Sequence, residues 1–425
     1  MTILIFLGSL LGAMAIGMPI AYALLVCGVA LMLQLDLFDS QIIAQNIING
    51  ADSFPLMAVP FFMLAGEIMN VGGLSKRIVN LALALIGHVR GGLGYVAIMA
   101  ACLLAALSGS AVADAAALGA LLVPMMVKAG HDKARSAGLV AAAGIIGPII
   151  PPSIAFVVFG VASGLSISKL FLAGIFPGLY LGIGLAVAWW FVARKEDLVM
   201  PPRATGQEKL RAFIDSLWAL GLPFIIIFGL KFGIFTPTEA GVVAAVYSLF
   251  VATVIYREIK LGDLYPVFLT AAKVTAVVMF LVAASLVSAW LITVADLPGQ
   301  VTELLAPLMD SPTLLLIAIM VLVVIVGTAM DMTPTILILT PVLIPVIKEA
   351  GIDPIYFGVL FIINNAIGLI TPPVGTVLNV VAGVAKVSMD DVMKGVLPFM
   401  LAQLIVLALL VAFPALVIVP ASWMH

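Results

Sequence analysis

The chain has 425 residues, is 64% hydrophobic and only 9% charged, and carries a formal net charge of −2 with a mean hydropathy of +1.30. Soluble domains run at about 45–50% apolar and about 25% charged, so a soluble globular protein is excluded and a polytopic membrane protein is implied. The near-neutral charge shows no dense basic patch for nucleic acid. The two cysteines, Cys27 and Cys102, lie in apolar segments and form neither a disulfide framework nor a metal spacing.

Apolar segments open the chain at 2–16, 20–36 and 48–71. The first lacks a basic start and reads as an uncleaved helix, not a signal peptide. Segments 92–107 and 112–128 are joined by a tight polar turn, Ser108-Gly109-Ser110. At 1.5 Å per residue the first arm reaches roughly 24 Å, short of a ~30 Å hydrocarbon core. The stretch 92–128 therefore reads as a re-entrant hairpin, with two short spans as the alternative. Segment 134–165 is broken at its centre by G-I-I-G-P-I-I-P-P-S, residues 144–153, and segment 170–193 follows. A polar linker, 194–211, separates these from a second series at 213–232, 238–256 and 266–292. Within it Thr236-Pro237-Thr238-Glu239 matches a capping box with proline at the first helical position. A second hairpin, 313–348, turns at Gly327-Thr328-Ala329-Met330-Asp331, and a second broken helix, 354–387, contains N-A-I-G-L-I-T-P-P-V-G-T at 365–376. Segment 395–419 closes the chain.

The two series match. Pro151-Pro152 pairs with Pro372-Pro373, Gly147 with Gly368, Gly174 with Gly395 and Pro177 with Pro398, all at an offset of 221, and Gly109 pairs with Gly327 at 218. Residues 1–193 and 212–425 thus read as two copies of one unit. Each copy has five spanning elements and a hairpin that returns to its own side, and an odd number inverts the second copy. Basic residues agree with that drawing. With both termini outside, only Lys169, Lys231 and Lys348 fall on the outer side, the inside bias that sets membrane orientation.

The inversion brings two turns and two proline breaks to the midplane. Lipid cannot satisfy backbone groups freed at a break, so such a break faces protein or a watery cavity. Corresponding breaks in two halves are a sequence pointer to a transporter's binding site. Unwound carbonyls and half-helix C-terminal ends coordinate Na⁺, and half-helix N-termini attract anions. Hydroxyls of Ser108, Ser110, Ser153, Thr328, Thr371 and Thr376 add hard oxygens, and Asn364 and Asn365 add amides. Ionisable residues in apolar segments are functional candidates by default, and here they are Glu67, Asp114, Glu239 and Asp331. Glu239 is accounted for by its capping box. Glu67 has Lys76 and Arg77 nearby as structural partners, and Asp114 can serve as a helix cap. Asp331 is the favoured cation ligand, because Thr333-Pro334 already supplies a helix start after it.

The turn S-G-S-A-V-A-D, the break G-P-I-I-P-P-S, the start F-T-P-T-E-A-G and the break L-I-T-P-P-V-G-T together resemble the large membrane subunit of tripartite ATP-independent periplasmic (TRAP) transporters, of the DctM type. Nearest is the branch importing sugar acids such as diketogulonate. The resemblance covers essentially the whole chain. It implies an all-α, elevator-type fold in the bacterial inner membrane, Na⁺ as coupling ion, and import of an organic acid. It also implies two partners: a small membrane subunit of about four helices and a periplasmic substrate-binding protein. Carried over by position, one Na⁺ site would use Ser108, Gly109, Ser110, Gly147, Pro148, Ile150 and Ser153. A second would use Gly327, Thr328, Met330, Asp331, Thr371, Pro373 and Thr376. The substrate would meet Ser110, Ser153, Thr328, Asn365 and Thr376. A self-contained Na⁺- or H⁺-coupled symporter is the first alternative. A membrane enzyme is remote, because the sequence has neither H-E-x-x-H nor a histidine in its apolar spans.

Overall fold

The computed structural model describes residues 2–424 apart from 195, 197–201 and 373. Among the described residues the chain is helical, without strands. Among the described residues nine helices are long and apolar enough to cross a membrane, so the chain is a multi-pass membrane protein.

The first half runs α1 (Thr2–Ala15), α2 (Ile20–Gln34), α3 (Ser40–Ala51), a 3-10 turn at Phe54–Met57, α4 (Ala58–Val71) and α5 (Leu74–Ile86). It continues with α6 (Gly92–Ser108), α7 (Ala111–Lys128), α8 (Lys133–Gly144), α9 (Ile154–Ser163) and α10 (Ile167–Ala193). The second half runs α11 (Gly206–Lys231), α12 (Pro237–Phe250), α13 (Leu261–Val294), α14 (Leu297–Met309), α15 (Pro312–Ala329) and α16 (Met332–Glu349). It ends with α17 (Pro354–Gly368), α18 (Thr376–Ala385), α19 (Met389–Ala412) and α20 (Ala415–Met424).

Three boundaries differ from the sequence reading, each for a local reason. The apolar run 48–71 is not one segment. Ser53 and Phe54-Pro55 interrupt it, because proline supplies no amide and disfavours helix at its predecessor, so α3 and α4 are separate. The linker is shorter than 194–211. A second capping box, Thr205 with Glu208, starts α11 inside it. Phe413-Pro414 ends α19 and sets off α20. The capping box at Thr236–Glu239 forms as read: the Glu239 carboxylate accepts the Thr236 amide at 2.8 Å, and Thr236 Oγ1 accepts the Glu239 amide at 3.3 Å.

The helices gather in two groups. In one, α2, α3 and α4 pack on α12 and α13. Thr238 Oγ1 donates to the Phe54 carbonyl at 3.1 Å and Ser288 Oγ to the Leu24 carbonyl at 2.8 Å. In the other, α6–α10 pack with α15–α19. Water does not drive helix association within a bilayer, so close approach at small residues and interhelical hydrogen bonds take over. The α8–α19 crossing shows both. A side chain at Gly138 would run into the Gly395 backbone, and Gln403 Nε2 donates to the Ala142 carbonyl at 2.7 Å. Larger side chains fill the interior. Phe159, Phe357 and Phe361 are fully buried, with ring centroids 5.6–6.4 Å apart.

Packing crosses between the halves in a reciprocal way. The arm α7 lies on its own half's α8 and also on α18 of the other half. The arm α16 likewise lies on α17 and on α9. The two groups meet where α4 touches α6 and α9, and where α13 touches α16.

Candidate functional site

The turn between α6 and α7 closes on the break between α8 and α9. Gly109 caps α6 in the left-handed region (φ 63), a conformation open to glycine without cost. A side chain there would strike the Pro152 carbonyl oxygen. Ser110 caps α7, its Oγ accepting the Ala113 amide at 3.4 Å, and Ser108 Oγ accepts the Ser110 amide at 3.3 Å. Among the described residues no backbone amide donates to the carbonyls of Gly147, Ile149, Ile150 or Pro151. These are the oxygens a proline-broken helix frees.

Asp114 lies one turn into α7. It caps nothing. Its carboxylate is 3% exposed, Oδ1 accepts the Ser108 hydroxyl, and Oδ2 has no hydrogen-bond partner. A Cβ at Gly147 would lie 2.5 Å from Oδ2, so the orphan oxygen sits against the break. A buried carboxylate oxygen beside free carbonyls suits a hard cation. The other expected residues divide. Pro148 has its carbonyl engaged by Ser153 Oγ, and Ile150 packs its side chain on Gly178, leaving only its carbonyl.

The second turn repeats the arrangement with different chemistry. A Cβ at Gly368 would lie 2.8 Å from Gly327 Cα, so tip and break are in backbone contact. Asn365 Nδ2 donates to the Met332 carbonyl at 3.1 Å, while Oδ1 has no partner and faces Gly327. Thr376 Oγ1 is also buried and unpartnered. The orphan oxygens here belong to a neutral amide and a hydroxyl, where the first turn uses a carboxylate. Three expected ligands have narrower means of ligation. Thr328 and Thr371 donate their hydroxyls to the helix carbonyls of Ile325 and Ile367, each at 2.7 Å, and Met330 is buried with no side-chain oxygen to offer. The break also frees fewer carbonyls than expected. The Thr371 amide bonds Gly368 and the Val377 amide bonds Leu369. Pro373 lies outside the described residues.

Between the turns and the other helix group lies a cavity of about 450 Å³. Its wall includes Ser110–Ala113 at the start of α7, Ile154-Ala155 at the start of α9 and Asp331–Thr333 at the start of α16. Three helix N-termini therefore open on one space, each with the positive partial charge and free amides that hold anions. At α16 the Asp331 side chain makes no capping bond and Pro334 has no amide, so Met332 and Thr333 N–H remain available. The far wall is α13, with Val274, Val277 and Val278, and α4, with Met63, Gly66, Glu67 and Asn70. Of the five residues expected at substrate, Ser110 reaches this cavity. Ser153 is sealed behind its bonds to Pro148 and Phe156, and Thr328, Asn365 and Thr376 are not part of the lining. Glu67 and Asn70 line the cavity as well. The expected partner of Glu67 is occupied elsewhere: Arg77 pairs with Glu258 at 3.0 Å and stacks over Tyr256 at 3.7 Å. A larger groove of about 590 Å³ between α10 and α19 is lined by apolar side chains apart from Tyr180 and has nothing to orient an acid.

Known proteins match this arrangement. The chain is 61% identical over its full length, and that of the relative, to the 2,3-diketo-L-gulonate TRAP transporter large permease protein YiaN of Escherichia coli K12. It is 39% identical to the sialic acid TRAP large permease SiaM of Vibrio cholerae, covering 95% of each chain. It is also 39% identical to the C4-dicarboxylate TRAP large permease DctM of Pseudomonas aeruginosa, covering 90% of each. The crystal structure of the YdaH transporter of Alcanivorax borkumensis shares the fold, with a TM-score of 0.66 over 89% of this chain and 90% of that one at 16% identity. These relatives are transporter permeases, not enzymes. The family model for the DctM component of the tripartite ATP-independent periplasmic transporters matches residues 7–416, and the chain belongs to that family as a large permease.

Proposed function

We propose that this permease imports an organic acid, a sugar acid or a C4-dicarboxylate-like anion, by Na⁺ symport across the bacterial inner membrane. A periplasmic binding protein hands the acid over, and a small membrane subunit completes the assembly. The observation that carries the reading is the convergence of three helix N-termini on one cavity, with orphan oxygens of Asp114, Asn365 and Thr376 behind the two turns. The N-termini suit the carboxylate, and the orphan oxygens suit two Na⁺ ions.

The two halves are inverted copies with both termini outside, and the hairpins α6–α7 and α15–α16 enter from opposite sides. The group α6–α10 with α15–α19 moves as an elevator past the group α2–α4 with α12–α13. The cavity at their junction supports this, since the substrate would travel with one group while touching the other. Two Na⁺ entering with one carboxylate carry a net positive charge inward, so the membrane potential adds ~2.3 kcal/mol per 100 mV.

The test is uptake into proteoliposomes holding both membrane subunits, with the binding protein outside. A sugar acid is expected to accumulate only with an inward Na⁺ gradient and the binding protein present. Accumulation by this chain alone would establish the self-contained symporter, and accumulation indifferent to Na⁺ would end the coupling assignment.

A further inference from the structure

Two carboxylates line the cavity, Glu67 on α4 and Asp331 at the start of α16, while no lysine, arginine or histidine does so among the described residues. That is an unusual lining for a space opened to anions. Glu67 is half-buried, and among the described residues its carboxylate enters no ion pair. Its place is fixed by its neighbour. A Cβ at Gly66 would lie 3.6 Å from Ser108 Cα, so α4 runs directly against the first turn. Asn70 lies three residues on, on the same helix face as Glu67.

We propose that Glu67 selects a polyhydroxylated monocarboxylate over a dicarboxylate, an inference that rests on the transport reading above. The acid's one carboxylate goes to the N-termini of α7, α9 and α16. Its remaining carbons then lie against the valines of α13 and the polar edge of α4. An ionised carboxylate has lone pairs and no proton to give. Glu67 therefore accepts hydrogen bonds from sugar hydroxyls, which are stronger for its charge. Asn70, whose Oδ1 already accepts the Ser75 hydroxyl at 3.0 Å, has its amide N–H groups to donate beside it. A second substrate carboxylate at the same place offers no donor and meets like charge, and the cavity has no basic side chain to offset it. Asp331 biases the space in the same direction.

The matched probes are D-gluconate and D-glucarate, which differ only in a terminal CH₂OH against a second carboxylate. The measurement is ligand-induced thermal stabilisation of the purified full chain in Na⁺, titrated to an apparent affinity. Wild-type protein is expected to favour gluconate by about 10- to 100-fold, the size of one hydrogen bond to a charged group. Glu67→Gln removes the charge at constant shape, and the preference is expected to collapse to within a fewfold. Asn70→Asp adds a carboxylate and is expected to widen it. An unchanged ratio in Glu67→Gln, or a wild-type preference for glucarate, overturns the assignment of Glu67. Should Glu67→Gln fail to fold, the wild-type order and the Asn70→Asp shift decide the matter. Stabilisation of wild-type protein by neither acid would instead count against the transport site itself.

Discussion

Asp114→Asn is expected to separate ion binding from folding. In wild-type protein the buried Asp114 carboxylate has one hydroxyl partner, one orphan oxygen and no counter-charge among the described residues. A buried charge without a counter-charge is strongly unfavourable, and removing one member of a buried pair typically costs 3–5 kcal/mol. The amide has the same shape and no charge. Without Na⁺ the variant is therefore expected to melt above wild type, because the uncompensated charge is gone. With Na⁺ it should gain little, since a ligand stabilises only in proportion to its affinity. The apparent Na⁺ affinity is expected to fall roughly 100-fold, corresponding to about 3 kcal/mol. Thermal melts across a Na⁺ series, with K⁺ holding ionic strength constant, measure both effects. Full Na⁺ stabilisation in Asp114→Asn would remove the carboxylate from the ion site.

Gly109→Ala is expected to abolish Na⁺-driven uptake at near-normal expression. Two costs combine there. An L-residue in the left-handed region costs about 1–2 kcal/mol. The new methyl also meets the Pro152 carbonyl, which is backbone and cannot swing aside. Gly164 separates the costs, because it caps α9 at a similar angle (φ 69) with nothing within 4 Å of an added Cβ. Gly164→Ala should show the conformational cost alone, a drop of a few degrees in melting temperature with uptake retained. Gly109→Ala should lose uptake by about two orders of magnitude, because the turn no longer seats on its break. Equal behaviour of the two variants would mean that the close contact has no part in transport.

These two residues also show how far the sequence reaches. Proline pairs and glycines are local signals: a missing amide breaks a helix wherever it lies, so both interruptions and both turns were legible. The contact between turn and break is not local, and anticipating it depends on reading the two matching series as one repeated unit. Side-chain roles depended on partners distant in sequence, and there the reading weakened. Glu67 has Lys76 and Arg77 near it in sequence, but Arg77 reaches Glu258, 181 residues away. Asp114 resembled a helix cap because Ser110, which takes that place, competes for the same pattern four residues earlier. The hydroxyls of Thr328 and Thr371 spend their protons on helix carbonyls three or four residues back and keep only lone pairs for a cation, which spacing alone does not reveal. His131 sits in a loop, as its position implies, but is buried there against Glu196 at 2.7 Å from the far end of α10. Nothing local records that pairing.

The helix α7 rests on α18 of the second half, and α16 rests on α9 of the first. The two turns are thus braced crosswise, like two clasped hands. A cation drawn to one turn would firm the wall that shapes the other, with no wire of side chains between them. Order at one turn would lower the entropy still to be lost at its twin, which is how rigidity alone produces cooperativity. Partial loading would leave the clasp half closed. Under the proposed Na⁺ coupling, a permease loaded at one turn only would then resist crossing, and the gradient would be protected from leaking away without cargo.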